Sequence, residues 1–199
     1  MSRTLLLLSV LLLAACASLG DGVHQVYVLE DRMPGVLAPH ATRPEVLRVQ
    51  ATRSNSYDDN PDLVFSRAPG VRGHYRYAQW SELPSTRMSD LLFARLAASQ
   101  LYATVLDGSG DGSAQRRLTT TLLAFYHDAR AQPGQAVIRV RAELYDVASH
   151  RLLARAEFTQ TAPLARYDAA GAAAAFDRAE SGLLDQLERW LAGVSAAAG

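Results

Sequence analysis

The chain has 199 residues, equal numbers of basic and acidic side chains (20 each), and a formal net charge of zero at pH 7. Its length is typical of one domain, and a neutral chain without a basic block gives no electrostatic reason to expect a nucleic-acid partner. The single cysteine, Cys16, excludes an intramolecular disulfide framework.

Residues 1–15 are predicted to be a lipoprotein signal peptide. Arg3 gives a positive start, an apolar run extends from Leu5 to Leu13, and two alanines precede Cys16. These are the three parts of a secretory signal, and the run is shorter than the roughly 20 residues needed to span a bilayer. The Leu-Ala-Ala-Cys sequence also resembles the lipobox of bacterial lipoproteins, in which the cysteine is lipidated after cleavage before it. The alternative is an ordinary signal peptide with a chance cysteine.

Cleavage would leave 184 residues (199 − 15 = 184). Residues 16–22 are predicted to form a lipidated tether, and several acyl chains give stable anchoring where one is marginal. The six residues 17–22 reach only roughly 20 Å when extended, so the domain is expected to lie close to its membrane. Ala17 stands where a lipoprotein retained in the inner membrane typically carries Asp. By resemblance to that sorting rule, we expect the outer membrane, facing the periplasm.

The domain is predicted to cover residues 23–194, with a frayed tail at 195–199. Apolar and polar residues alternate with a period of two in its first half, which indicates half-buried strands. These strands are Val23–Glu30, Val46–Thr52, Leu63–Arg67 and His74–Trp80. A proline-rich loop, Arg32–Pro44, separates the first two, and Pro69-Gly70 makes a hairpin of the last two.

An amphipathic helix is predicted over Thr86–Tyr102. Ser85 is the expected N-cap, and Arg95 lies on the polar face of the helix. A short strand at Val105 and a Gly-rich loop, Asp107–Ser113, follow.

Three long strands come next, and short turns join them into an antiparallel meander with one solvated face. They are Leu118–Tyr126, Ala136–Val147 and Arg151–Thr161, the last with Leu152 directed inward. Asp168 is expected to cap a final helix with an apolar stripe. The predicted fold class is therefore α+β: two layers, a mostly antiparallel sheet with two helices packed on one face.

No catalytic or metal-binding signature is found. The loop from Asp107 to Gly112 resembles the start of an EF-hand, but Leu118 occupies the twelfth position, where a bidentate Glu belongs. We interpret it as a turn with solvated carboxylates. There is no zinc spacing, no G-x-S-x-G elbow, and no P-loop, which a chain without lysine cannot contain. We therefore expect a non-enzyme without metal or cofactor, although a catalytic triad dispersed through the fold stays open.

The aromatic stretch Tyr75, Tyr77, Trp80, together with Pro84, is the most site-like feature. Tyr and Trp favour interfaces, so these four residues are predicted to bind a partner. The alternative is packing between sheet and helix, which is the favoured interpretation for Trp80.

The whole pattern resembles the ABC-type transport auxiliary lipoprotein family. The resemblance rests on the lipobox, Tyr27-Val-Leu, Leu63-Val-Phe-Ser-Arg, the stretch from Tyr75 to Pro84 before a helix, and the C-terminal Leu187-Glu-Arg-Trp-Leu. It covers essentially the whole mature chain, and Tyr-x-Tyr-x-x-Trp-x-x-x-Pro is its most specific part.

The resemblance implies a non-enzymatic component of a mammalian-cell-entry (MCE) type system that moves lipids between two membranes. An ABC transporter and a periplasmic MCE-domain protein would be its partners, and a homo-oligomer would fit a ring-shaped partner. Two other classes stay open: a lipoprotein activator of a cell-wall synthase, which the short tether disfavours, and a periplasmic hydrolase.

Overall fold

The computed structural model describes residues 24–32 and 42–196. The predicted signal peptide and the predicted tether with Cys16 lie outside these residues, as do most of the proline-rich loop and the last three residues of the chain. Everything below concerns the described part.

The described part of the chain contains nine strands and two helices. They are β1 (Gln25–Tyr27), β2 (Arg43–Val49), β3 (Arg53–Ser54), β4 (Asp62–Ser66), β5 (Gly73–Trp80), α1 (Pro84–Ser99), β6 (Tyr102–Asp107), β7 (Arg116–Asp128), β8 (Gln135–Asp146), β9 (Leu152–Pro163) and α2 (Ala169–Ala196).

Strand β7 organises the sheet. One of its edges pairs antiparallel with β8 from end to end, and β8 pairs antiparallel with β9. The other edge is shared by β2, β3 and β4, which follow one another along β7 and all run parallel to it. From there the sheet divides into two arms, β2–β6 and β4–β5–β1. The predicted α+β class is confirmed. The sheet is mixed, because the long ladders are antiparallel while the joints along β7 are parallel.

Both helices cover the same face, called here the inner face. Its buried side chains from β7 and β8 are Leu118, Leu122, Phe125, Ala136, Ile138, Val140, Ala142 and Leu144. Phe125 stacks on Phe176 of α2 with 4.2 Å between ring centroids, and Trp80 packs edge-on against both rings. This aromatic cluster joins the β4–β5 arm, the central strand and α2 into one core.

The two helices begin differently. α1 starts with Pro84, and Ser85 lies inside the first turn rather than at the N-cap as predicted. The cap comes from a distant loop: Asp59 accepts hydrogen bonds from the Ser85 backbone N–H (2.9 Å) and hydroxyl (2.7 Å). α2 begins as predicted, since the Gly171 N–H donates to Asp168 Oδ1 at 2.6 Å.

Two predicted helix ends and one predicted side-chain orientation are corrected. α1 ends at Ser99, because Gln100 adopts a left-handed conformation (φ 58°), and Tyr102 therefore opens β6. α2 continues to Ala196, into the tail that was predicted to fray. A register shift between β8 and β9 turns Leu152 to the outer face, where it is 39% exposed.

The first strand is also shorter than predicted. β1 ends at Tyr27, and the chain then leaves the sheet as residues 29–32, called here the crossing segment. Glu30 N–H donates to Asp177 Oδ1 (3.0 Å) and Arg32 N–H donates to Ser181 Oγ (2.9 Å). The crossing segment is thus attached to α2 by its backbone, which explains why an apparently strand-like run does not stay in the sheet.

Candidate functional site

The outer face of β8 and β9, which the two helices leave uncovered, carries alternating charges. Arg141 lies opposite Glu157, with their charged atoms 2.7 Å apart, and Arg155 lies opposite Glu143 at 2.5 Å. Three of these four side chains are between 41% and 57% exposed, and only Glu143 is more sheltered. Burial raises the pKa of Glu143, but hydrogen bonds from Arg155 and Tyr145 outweigh it and hold that pKa below its ordinary value.

This charged face is well ordered by its own contacts. Arg117 of β7 lies over the ring of Tyr145, with the guanidinium carbon 4.9 Å from the ring centroid. Pairs of exposed charges contribute little to stability. The exposed ion pairs of this face are therefore not a main source of the stability of the fold.

The predicted aromatic site divides into buried and exposed parts. Tyr77 of β5 is 44% exposed, whereas Trp80 of the same strand is only 5% exposed and sits in the aromatic cluster. Pro84 is buried at the start of α1. Trp80 and Pro84 thus cannot form an exposed binding surface, because β5 alternates and places Ala78 and Trp80 towards the helices.

Tyr75 belongs to a closed hydrogen-bond network. Its hydroxyl lies 2.8 Å from Nδ1 of His127, and Nε2 of His127 lies 3.0 Å from the Pro133 carbonyl oxygen. Because the carbonyl can only accept, Nε2 carries the proton and Nδ1 accepts from Tyr75. Burial lowers the pKa of His127 and raises the pKa of Tyr75 to about 12, so both side chains are neutral at pH 7.

A buried charge cluster lies where the crossing segment meets both helices. Arg95 of α1, only 5% exposed, donates two hydrogen bonds to Asp31, at 2.8 and 2.7 Å, and a third to Asp185. Glu188 of α2 is 3.7 Å from the same guanidinium. The sequence pattern placed Arg95 on the polar face of α1, and the structure shows that this part of the polar face is buried. The crossing segment covers that part of α1, and no periodicity could reveal it.

Glu180 of α2 is fully buried near this cluster. Neither carboxylate oxygen has a hydrogen-bond partner in the described residues. Burial, assisted by the charge of Asp31, raises the pKa of Glu180 to about 8. Glu180 is therefore mostly protonated at neutral pH, a state that sequence reasoning did not anticipate.

The EF-hand-like loop is closed by protein groups. Asp107 accepts from the backbone N–H of Ser109 at 2.6 Å. The guanidinium of Arg48 donates to the carbonyl oxygens of Asp107, Gly110 and Gly112. Arginine thus takes the place at the loop carbonyls that a bound cation would need. No group of three or more metal-ligating side chains occurs in the described residues.

Two clefts indent the surface of the described part. One, of about 530 Å³, lies between α1 and the ends of β2 and β6, and its lining includes Thr52, Ser89 and Phe93. The other, of about 520 Å³, lies at the β7–β8 turn beside Arg130 and Pro163. Neither is lined by Tyr75, His127 or Glu180, the residues whose pKa burial shifts most clearly. No helix among the described residues is both long and apolar enough to cross a membrane.

Comparison with known proteins identifies a family to which this chain is similar. The model of the family described as ABC-type transport auxiliary lipoprotein component matches residues 27–188. A search of curated protein sequences found no match.

Solved structures share the fold. Protein XCC0632 from Xanthomonas campestris aligns with a TM-score of 0.76 at 22% identity, covering 87% of this chain and 97% of that one. An uncharacterised protein aligns with a TM-score of 0.67 at 15% identity, covering 85% and 99%. The hypothetical protein CT253 from Chlamydia trachomatis aligns with a TM-score of 0.51 at 10% identity, covering 77% and 99%.

Proposed function

Because the chain belongs to the ABC-type transport auxiliary lipoprotein family, we propose that it is a lipid-anchored, non-enzymatic component of an MCE-type lipid transport system. In this role it is held at the outer membrane by acyl chains on Cys16 and docks the periplasmic MCE-domain conduit. The ABC transporter at the inner membrane supplies the energy for lipid movement.

The observation that carries this proposal is the uncovered outer face of β8 and β9. A face that both helices leave uncovered and that presents a row of alternating Arg and Glu is suited to a charged protein partner. Its charges balance, which favours a partner with a matching pattern over one with a single sign of charge. Tyr77, exposed on the other arm of the sheet, supplies an aromatic contact.

The ionisable side chains in the interior of the domain are also compatible with a role in anchoring and docking. The described residues group no metal ligands. Tyr75 and His127 are engaged with each other and with the backbone, so neither is directed at a substrate. We therefore place the proposed recognition on the outer face of β8 and β9 rather than at this buried pair.

Affinity purification of the full-length lipoprotein from its native envelope, followed by mass spectrometry of bound proteins and lipids, tests the proposal. We expect an MCE-domain protein and ABC transporter subunits in the eluate. Recovery of a cell-wall synthase without a transporter would instead support the activator class.

A charge-reversal pair locates the surface. Arg155→Glu places a third carboxylate beside Glu143 and Glu157, so we expect recovery of the MCE protein to fall. Arg189→Glu makes the same change on the exposed side of α2 and should leave recovery unchanged. If the two variants recover equal amounts of the MCE protein, the outer face of β8–β9 is ruled out as the docking surface.

A further inference from the structure

Three loops meet at one end of the sheet, called here the loop end. They are the β4–β5 turn, the β7–β8 turn and the β9–α2 connection, which comprise residues 67–72, 129–134 and 164–168. Two backbone hydrogen bonds join them: Ala129 N–H donates to the Ser66 carbonyl (2.8 Å), and Leu164 N–H donates to the Gly134 carbonyl (3.0 Å). The loop end is therefore one continuous surface rather than three independent turns.

The direction of β1 relates the start of the described domain to this end. β1 runs parallel to β5 with Gln25 beside Ala78, and β5 begins at the β4–β5 turn. The N-terminal end of β1 is therefore directed towards the loop end. Cys16 lies eight positions before His24 (24 − 16 = 8), which limits the distance between their Cα atoms to roughly 28 Å even in a fully extended chain.

Apolar side chains are exposed there. Val71, at the tip of the β4–β5 turn, is 54% exposed, and Tyr167, just before α2, is 37% exposed. Pro69, Ala131 and Pro133 are also exposed. A tyrosine with an apolar body and a polar tip is a typical residue of the membrane–water interface.

Exposed arginines surround these apolar residues. Arg130 and Arg166 pair with Asp128 and Asp168. Arg67 lies over the Phe65 ring at 4.8 Å and makes no ion pair in the described part of the chain. The surface therefore has an excess of positive charge, and long arginine side chains can reach phosphate groups while their stems lie on apolar surface.

The opposite end of the sheet has a different character. It is formed by the loop after β6 and the β8–β9 turn, which are joined by a hydrogen bond from Val147 N–H to the Gln115 carbonyl (3.0 Å). Its exposed tips carry small or polar residues such as Asp111, Ser113 and Ser149. The two ends thus differ in polarity, and the N-terminal end of β1 is directed towards the loop end.

We propose that the loop end is the membrane-contacting surface of this protein and lies against the phospholipid headgroups of the membrane that holds Cys16. The occupant is a lipid surface: the headgroup phosphates meet Arg67 and its neighbours, and Val71 and Tyr167 enter the interface. The strands then stand away from the membrane, and the outer face of β8–β9 points sideways, accessible to a periplasmic partner. This orientation rests on the lipid anchor that is part of the proposed function.

Single-cysteine labelling tests the orientation on the full-length acylated protein. Cys16 is the only native cysteine and its thiol is consumed by lipidation, so each introduced thiol is labelled alone. Val71→Cys and Ala131→Cys place an environment-sensitive fluorophore on two different loops of the loop end. Ser113→Cys and Ser149→Cys are the matched controls at the opposite end. All four positions are exposed, and two at each end guard against a variant that does not fold.

The vesicles consist of phosphatidylethanolamine with about one quarter phosphatidylglycerol, which supplies anionic headgroups. We expect labels at Val71 and Ala131 to shift their emission to the blue and to lose access to a water-soluble quencher, while the control labels do neither. Arg67→Ser should reduce the shift at Val71, and so should omission of phosphatidylglycerol.

Flotation of the same samples separates the two proposals. Protein that floats with vesicles but shows equal quenching at both ends would overturn the orientation and leave the anchor intact. Protein that fails to float would overturn the anchor and the orientation together. If the label at Val71 is protected from the quencher only in native envelopes, and not on vesicles, the loop end contacts a protein partner and the lipid contact is overturned.

Discussion

The guanidinium of Arg95 and the carboxylate of Asp31 form a two-bond pair, with Nε donating to Oδ2 at 2.8 Å and the terminal nitrogen to Oδ1 at 2.7 Å. Arg95 lies in the middle of α1, and Asp31 lies in the crossing segment, 64 positions earlier. Together with the bonds from the crossing segment to Asp177 and Ser181 of α2, this pair fastens the start of the domain across both helices. The first described segment of the domain is therefore held by buried charges as well as by β1.

Replacing Arg95 with methionine should strongly destabilise the domain. The substitution removes the shared cation from Asp31, Asp185 and Glu188 while keeping most of the volume. Breaking a buried ion pair from one side typically costs about 3–5 kcal/mol. Urea denaturation should show a lower midpoint with an unchanged slope. Arg189→Met, on the exposed side of α2, is the control and should have little effect. A midpoint equal to that of the wild type would mean that the cluster is neutral for stability.

Replacing Glu180 with glutamine should flatten the dependence of stability on pH. The pKa of Glu180 is about 8 in the folded protein, against an ordinary value of 4.5. The folded state therefore binds more protons than the unfolded state between these values, and stability falls as pH rises through this window. The slope approaches about −1.4 kcal/mol per pH unit for one such group.

The comparison is best made as a difference between variants. The raised pKa of Asp177 contributes to the same trend, so only the difference between the wild type and Glu180→Gln isolates Glu180. The half-buried Glu82 offers the control variant Glu82→Gln. Parallel stability curves for the wild type and Glu180→Gln from pH 5 to 8 would contradict the buried, protonated carboxyl.

Most of the correctly predicted parts of the fold depend on sequence patterns within short segments. The β4–β5 hairpin, the three-strand meander and the Asp168 cap were predicted because each depends on neighbouring residues and short turns. The parallel joints of β2, β3 and β4 along one edge of β7 depend on contacts between distant segments. Alternation of apolar residues gives the face that a strand buries but not its neighbour.

The limits at the candidate site have the same origin. Tyr77 and Trp80 belong to one alternating strand, so the sequence predicts that their side chains lie on opposite faces of the sheet. The sequence does not predict which of these two faces packs against the helices. Serine is a residue type that often caps helices, which is why Ser85 was predicted as the N-cap. In the structure, Asp59 from another loop accepts the hydrogen bond from the backbone N–H of Ser85. Arg95 carries a helix-surface pattern and is covered by a segment that comes from the start of the domain.

Replacing Tyr75 with phenylalanine should cost about 1–2 kcal/mol, because Nδ1 of His127 loses its buried donor. The readout that identifies the cause is the nitrogen NMR spectrum of His127. In the wild type, we expect the neutral ring with its proton on Nε2, held by the Pro133 carbonyl. Observation of the Nδ1-protonated form in the wild type would reverse the direction of the bond from Tyr75 and contradict the assignment.

Replacing Asp59 with alanine should destabilise α1 from its first turn. The carboxylate satisfies the Ser85 N–H and hydroxyl and lies at the positive end of the helix dipole. Loss of a helix cap costs about 0.5–2 kcal/mol. Amide hydrogen exchange should accelerate in the first turn of α1, with Asp111→Ala in an exposed loop as the control. Ser85→Ala should have a smaller effect, since the Ser85 backbone N–H keeps its acceptor. Equal exchange in wild type and Asp59→Ala would exclude Asp59 as the functional cap.

Tyr77 and Tyr75 form a matched pair for the docking hypothesis, since one ring is exposed and the other is bonded inside the fold. Tyr77→Ala should reduce co-purification of the MCE-domain protein without lowering the melting temperature, because an exposed ring contributes to binding rather than to the core. Tyr75→Phe should do the opposite, lowering the melting temperature while leaving recovery unchanged, because only the buried hydroxyl is removed. Unchanged recovery with Tyr77→Ala would remove the aromatic stretch from the docking surface. The charged face of β8 and β9, tested separately by Arg155→Glu, would then be the remaining contact.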